Sequence, residues 1–257
     1  MQRVIRLELA YDGTAYCGWQ RQRQGEVTIQ ATLEECLEII CGHPLCVHGA
    51  GRTDAGVHAE AMVAHFLTTV AHPLAAFSKG LNSLLPQDIR ILSAQEAEAD
   101  FHSRFSACSK TYRYDFFTGA VMPPARRLYL GHLPGHFQAE PARQALEKLL
   151  GSHDFSSFER AGSRDPDAVS GRGAVRTIMH ASCQPMAGLP GGWSLRLRGD
   201  GFLRQMVRII AGTVIEIGQE KRVADSMVAI LAAKDRKAAG QTAPACGLFL
   251  EQVDYEF

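Results

Sequence analysis

Apolar and polar positions alternate over residues 4–11, a pattern that predicts a strand with one buried face. The turn-forming run Asp12-Gly13-Thr14 follows, then a loop to about residue 27. From Thr28 the period changes. Ile29, Leu33, Cys36, Leu37 and Ile40 recur at helical spacing, with Thr28 placed to cap the start and Gly42 just past the end. Residues 45–48 and 57–67 are predicted as strands flanking a glycine-bracketed loop, 72–85 as a helix stopped by Pro86, and 89–94 as a closing strand.

The second half repeats the theme. Residues 110–117 alternate as a strand, and 141–150 carry a helical apolar stripe ended by Gly151. Residues 171–183 and 193–198 read as a strand pair around the turn-rich stretch 185–192. Two helices, 202–218 and 224–233, and a final strand, 247–255, complete the order. Each half has the form of a split βαβ unit of the ferredoxin or RNA-recognition type. The expected class is therefore α+β, with halves 1–105 and 106–257 sharing a largely antiparallel sheet that has helices on one face. Residues 161–174, rich in Gly, Ser, Arg and Asp, read as a mobile basic loop between elements.

Composition narrows the class of protein. The N-terminus lacks the apolar run of a signal peptide, and the most apolar helical stretch, 202–218, still carries Arg204, Arg208 and Glu216. A cytoplasmic protein with no membrane partner is expected. Seven cysteines without a CxxC pair do not form a disulfide framework. Cys36, Cys41 and Cys46, with His43 and His48 nearby, match no common zinc spacing, so no metal is expected. No dinucleotide or phosphate-loop signature calls for a nucleotide cofactor either.

The formal net charge is zero, but it is unevenly distributed. Residues 1–101 carry 7 basic and 12 acidic side chains, whereas residues 102–208 carry 15 and 8. Of the 27 basic residues 21 are arginine, the side chain suited to bidentate phosphate contact and to stacking. Charge alone leaves a solvated surface and an RNA-binding one equally open.

Gly49-Ala50-Gly51-Arg52-Thr53-Asp54-Ala55-Gly56-Val57-His58 is the most unusual segment. Its glycines let the backbone turn sharply and place one carboxylate, Asp54, on a tight loop between strands. An Asx turn closing a hairpin is the plainer reading. On the strand 110–117, Tyr112, Tyr114 and Phe116 share a face, either as core or as a surface for stacking bases. Arg204 and Arg208 stand four apart in the predicted helix, hence on one side of it.

Taken in order, these and other segments resemble the TruA family of tRNA pseudouridine synthases: Tyr11-Asp12-Gly13-Thr14 with Gly18-Trp19-Gln20; residues 51–58; Leu81-Asn82 through Leu85-Pro86; Phe101-His102 with Arg104-Phe105; Tyr112-Arg113-Tyr114; residues 154–158; Arg176-Thr177-Ile178; Phe202-Leu203 with Met206-Val207-Arg208; and Ala243-Pro244-Ala245 with Gly247-Leu248. The resemblance spans essentially the whole chain, and Arg-Thr-Asp-Ala-Gly-Val-His is its most specific part. It implies a cofactor-free isomerase, acting as a homodimer on uridines 38–40 in the anticodon stem-loop of tRNA. It further implies Asp54 as the essential carboxylate, Arg208 as the arginine keeping it ionised, Tyr112 as the residue stacking on the target base, and Leu248 as pocket lining. Arg52 would help extrude the nucleotide. His58, Arg104, Arg126, Arg127, Arg164, Arg172 and Arg204 are the further candidates for substrate or RNA contact. A non-catalytic RNA-binding protein, or a glycosidase using Asp54 with a second carboxylate, are the rival expectations.

Overall fold

The structure, a computed structural model, describes residues 2–22, 25–163 and 173–256. The leading alternation produces β1 (Arg3–Tyr11), whose Ile5, Leu7 and Leu9 are wholly buried. Both signals around the first helix are realised in α1 (Ile29–Cys41). The Thr28 hydroxyl accepts from the Ala31 amide at 3.3 Å, and Gly42 takes the left-handed φ of 75° that ends the helix.

The chain forms two compact units, Met1–Cys108 with Phe249–Phe257, and Ser109–Leu248. In the first, β1 lies antiparallel between β4 (Ile89–Ala97) and β3 (His58–Thr68). Strand β10 (Leu248–Tyr255) pairs parallel with β3 through Phe249 opposite His58. The expected strand over 45–48 is reduced to β2 (His48–Gly49), with His48 opposite His65 of β3. The predicted helix over 72–85 is a π-helical turn, Ala76–Gly80, running into α2 (Leu81–Leu84). It ends at Leu85, whose ψ of 144° is the extended value imposed by Pro86. Phe77 of the π turn meets Phe66 of β3 edge-on at 5.4 Å, joining helix layer to sheet.

In the second unit, β5 (Ala107–Phe117), β9 (Gly192–Gly199), β8 (Val175–Pro185) and β7 (Gly151–Asp154) are neighbours in that order, all antiparallel. A two-residue strand, β6 (Gly131–His132), lies parallel beside β5. Two helices, α3 (Ala139–Glu147) and α4 (Met206–Gly218), pack together, and α3 rests on β8. A third, α5 (Ser226–Ala233), lies near β7. Within the aromatic stripe on β5, Tyr114 and Phe116 are core, fully buried, while Tyr112 keeps 7% of its surface exposed.

Helix α4 starts later than its apolar pattern predicts. Gln205 has φ 62°, which no helix accommodates, so the first helical residue is Met206. Arg204 therefore sits in the preceding turn, and the expected one-sided pairing of Arg204 with Arg208 on a helix does not hold. Arg164 and Arg172 lie outside the described residues.

Candidate active site

The 50–57 loop gets its shape from a segment far ahead of it in the chain. The Trp19 amide donates to the Thr53 carbonyl at 3.1 Å, and the Gly56 amide to the Tyr16 carbonyl at 3.3 Å. The hydroxyls of Tyr11 and Thr53 bond at 2.9 Å in a buried position. Residues 11–19 thus form a cradle under the loop. The cradle is itself fixed to the start of α1, because the Ile29 and Gln30 amides donate to the carbonyls of Gly18 and Trp19.

Close backbone approach explains the glycines. Gly18 has φ 96°, and a Cβ there would stand 2.5 Å from the Thr53 carbonyl oxygen. A Cβ on Gly49 would meet the Trp19 ring at 2.5 Å, and one on Gly13 would collide with the Val57 carbonyl. The turn closes with the Val57 amide donating to the Asp54 carbonyl at 3.2 Å while Gly56 takes φ 75°. On this support Asp54 is half-buried and Arg52 is exposed. The backbone that carries this carboxylate is strand-flanked and hydrogen-bonded, so it has little freedom to move.

His58 does not face outward as an RNA-contacting residue would. It is 1% exposed, lies parallel to the Phe249 ring at 4.7 Å, and accepts the Gly13 amide through Nδ1 at 3.1 Å. The carboxylate of Asp12 is equally close to Nδ1, but that oxygen is already taken by the Thr14 amide and hydroxyl. We therefore read Gly13 as the donor, and His58 as a pin between cradle and β3.

The remaining predicted chemistry lies in the second unit. Tyr112 projects from β5 and meets Phe202 edge-on at 5.0 Å. Arg208, on the first turn of α4, donates from Nε to the Ala243 carbonyl at 2.9 Å, while the Ala243 amide returns a bond to the Arg208 carbonyl. The Tyr114 hydroxyl donates to the Pro244 carbonyl at 3.0 Å, and burial pushes its pKa up. The backbone at Ala243 and Pro244 therefore holds Arg208 on one side and Tyr114 on the other. Leu248 is buried. Arg126, Arg127 and Arg204 are exposed, as is Arg104 in the first unit. Sequence reasoning gave no role to Tyr11, Tyr16 or Trp19. The motif around them was visible, but the hydrogen bonds of Tyr16 and Trp19 to the loop run through backbone atoms that carry no sequence signal, and the Tyr11 hydroxyl finds Thr53 only in the fold.

Compared with known families, the chain matches tRNA pseudouridine synthase over residues 9–106 and 145–256. It is 46% identical over 253 residues to "tRNA pseudouridine synthase A 1" of Desulfotalea psychrophila, covering 98% of this chain and all of that protein. The chain belongs to the tRNA pseudouridine synthase family. Further relatives, each called tRNA pseudouridine synthase A, come from Citrifermentans bemidjiense (42% identity, 99% of this chain and 98% of that protein) and Syntrophotalea carbinolica (40%, 98% and 96%). Membership makes the chain an isomerase by class. Both the 49–58 loop and its cradle from residue 11 onwards fall inside the matched regions. Among the described residues no group of His, Cys, Asp or Glu is arranged to hold a metal ion, and no helix is long and apolar enough to cross a membrane.

Proposed function

We propose that this protein converts uridine to pseudouridine at positions 38–40 of the tRNA anticodon stem-loop, with Asp54 as the essential carboxylate. The reaction breaks the N1–C1′ bond, turns the base, joins C5 to C1′ and moves the C5 proton away, with N1 regaining one. It needs no electron or group donor. Asp54 acts on the ribose, as nucleophile or as base. Arg208 is the arginine proposed to serve this carboxylate, Tyr112 the residue proposed to stack on the target base, and Leu248 the proposed pocket lining. Arg52 takes part in drawing the nucleotide out of its stack, a step that costs a few kcal/mol. Phosphate contacts from Arg104, Arg126, Arg127 and Arg204 offset that cost, with Arg164 and Arg172 as further candidates. The working form is a homodimer in the cytoplasm.

The observation carrying this reading is the buttressed, half-buried Asp54 within the family-matched 49–58 loop. The test is Asp54→Asn, assayed for pseudouridine in the anticodon stem and for tRNA binding. Modification should fall to background while binding persists. Normal modification by Asp54→Asn would remove the carboxylate from the chemistry, and release of free uracil by the wild type would point to hydrolysis instead.

A further inference from the structure

Among the described residues, Phe105 is the largest apolar side chain left bare on the first unit's loops, with 75% of its surface exposed. It is not loosely placed. The loop that presents it is bonded through the imidazoles of two histidines. His102 Nδ1 accepts the amides of Arg104 and Phe105 at 3.1 and 3.4 Å, and His65 Nδ1 accepts the Ser103 amide at 3.2 Å. The Ser103 hydroxyl donates to the His48 carbonyl at 2.6 Å, and the Tyr255 hydroxyl donates to the Ser103 carbonyl at 2.7 Å. Each Nδ1 that accepts an amide proton must be unprotonated, so both rings carry their proton on Nε2.

The rings also pack in a row. His48 stacks on His65 at 5.1 Å, His65 meets His102 edge-on at 4.7 Å, and His102 lies tilted against Phe105 at 4.3 Å. The Arg104 guanidinium stands 5.6 Å from the Phe105 centroid. One side of Phe105 is thus backed by an imidazole and the rest is open, with a cation beside it. Its aromatic neighbour is the His102 imidazole and its cationic neighbour the Arg104 guanidinium. That composition suits a base with its phosphate better than the apolar core of a protein interface.

We propose that Phe105, backed by His102 and flanked by Arg104, is a docking platform for an unpaired nucleobase of the RNA, separate from the catalytic loop. This deepens the tRNA-modifying role proposed above and rests on it. His48 opens the two-residue strand after which the 50–57 loop departs, and that loop returns to β3 at His58, seven residues from His65. At strand rise this is about 20 Å, or about six stacked nucleotides. Platform and loop can therefore engage a single stem-loop. The docked base lies in the unpaired part of the hairpin, because a paired base has no open face to offer.

The test compares wild type, Phe105→Ala and Phe105→Trp for binding and modification of an anticodon stem-loop RNA. Phe105→Ala should raise Kd and KM about tenfold, within the range of one base–aromatic stack, with kcat little changed. The slope of log Kd against log salt should stay as in wild type, since no phosphate contact is lost. Phe105→Trp should restore affinity. The exposure of the ring leaves folding intact, which thermal melting checks. Wild-type affinity in Phe105→Ala overturns the platform. Weaker binding accompanied by a drop in mass by light scattering also overturns it, assigning the ring to contact with a second copy. If the wild type forms no pseudouridine, the enzymatic reading fails by itself, while the affinity comparison still decides whether Phe105 holds RNA.

Discussion

His65 shows how one side chain ties stability to acidity. Burial, and then the neighbouring His102 and His48, lower its pKa from the ordinary 6.5 to about 4. The ring is neutral in the fold and accepts a backbone amide through Nδ1. Between pH 6.5 and about 4 the unfolded chain binds a proton at this position that the native chain refuses. Stability therefore declines as pH falls through that window and levels off below it, by an amount on the order of 3 kcal/mol at most. Urea unfolding at pH 7 and pH 4.5 measures the drop, and His65→Gln should shrink it. An unchanged drop in His65→Gln would assign the acid sensitivity to other groups. His102 shifts in the same direction for the same main reason, so the loop carrying Arg104 and Phe105 should loosen early on acidification.

At the scale of elements, α4 is buried nearly all round, and the segment after α5 crosses it at Gly212. An alanine in place of a helical glycine ordinarily stabilises by about 0.5–1 kcal/mol. Here a Cβ would strike the Gln241 carbonyl, so the sign reverses: Gly212→Ala should destabilise by roughly 1–3 kcal/mol, seen as a lower urea midpoint. A raised midpoint would mean that the crossing segment yields. The elements also mark what the amino-acid pattern could convey. Residues with a local partner were legible: Thr28 and Gly42 bound α1 where their chemistry says they should. The two-residue β6 was not, and β2 was placed three residues early, because a strand that short has no alternation to display. The late start of α4 was hidden because a positive φ at Gln205 is imposed by surroundings, not by glutamine. The site was half legible. Asp54 announced itself through flanking glycines, whereas Trp19 and Tyr16 act through the carbonyl of Thr53 and the amide of Gly56.

At the scale of the molecule, zero net charge conceals an arginine-rich middle. Arg126 and Arg127 protrude from a single exposed turn following Pro124. Changing both to glutamine should flatten the slope of log Kd against log salt by about two, roughly one per phosphate contact, and weaken tRNA binding uniformly. A slope equal to wild type would take those two residues out of the RNA interface. The hydrogen-bonded cradle has a different consequence, for anyone wishing to transplant the reactive loop. Residues 49–58 carried alone into another scaffold would leave behind the mould that bends them. The smallest portable block runs from Tyr11 to His58, helix included, and inserting even one residue between Ala50 and Val57 would put the donor and acceptor rows out of step. New chemistry on this frame is better sought by exchanging side chains than by lengthening the turn.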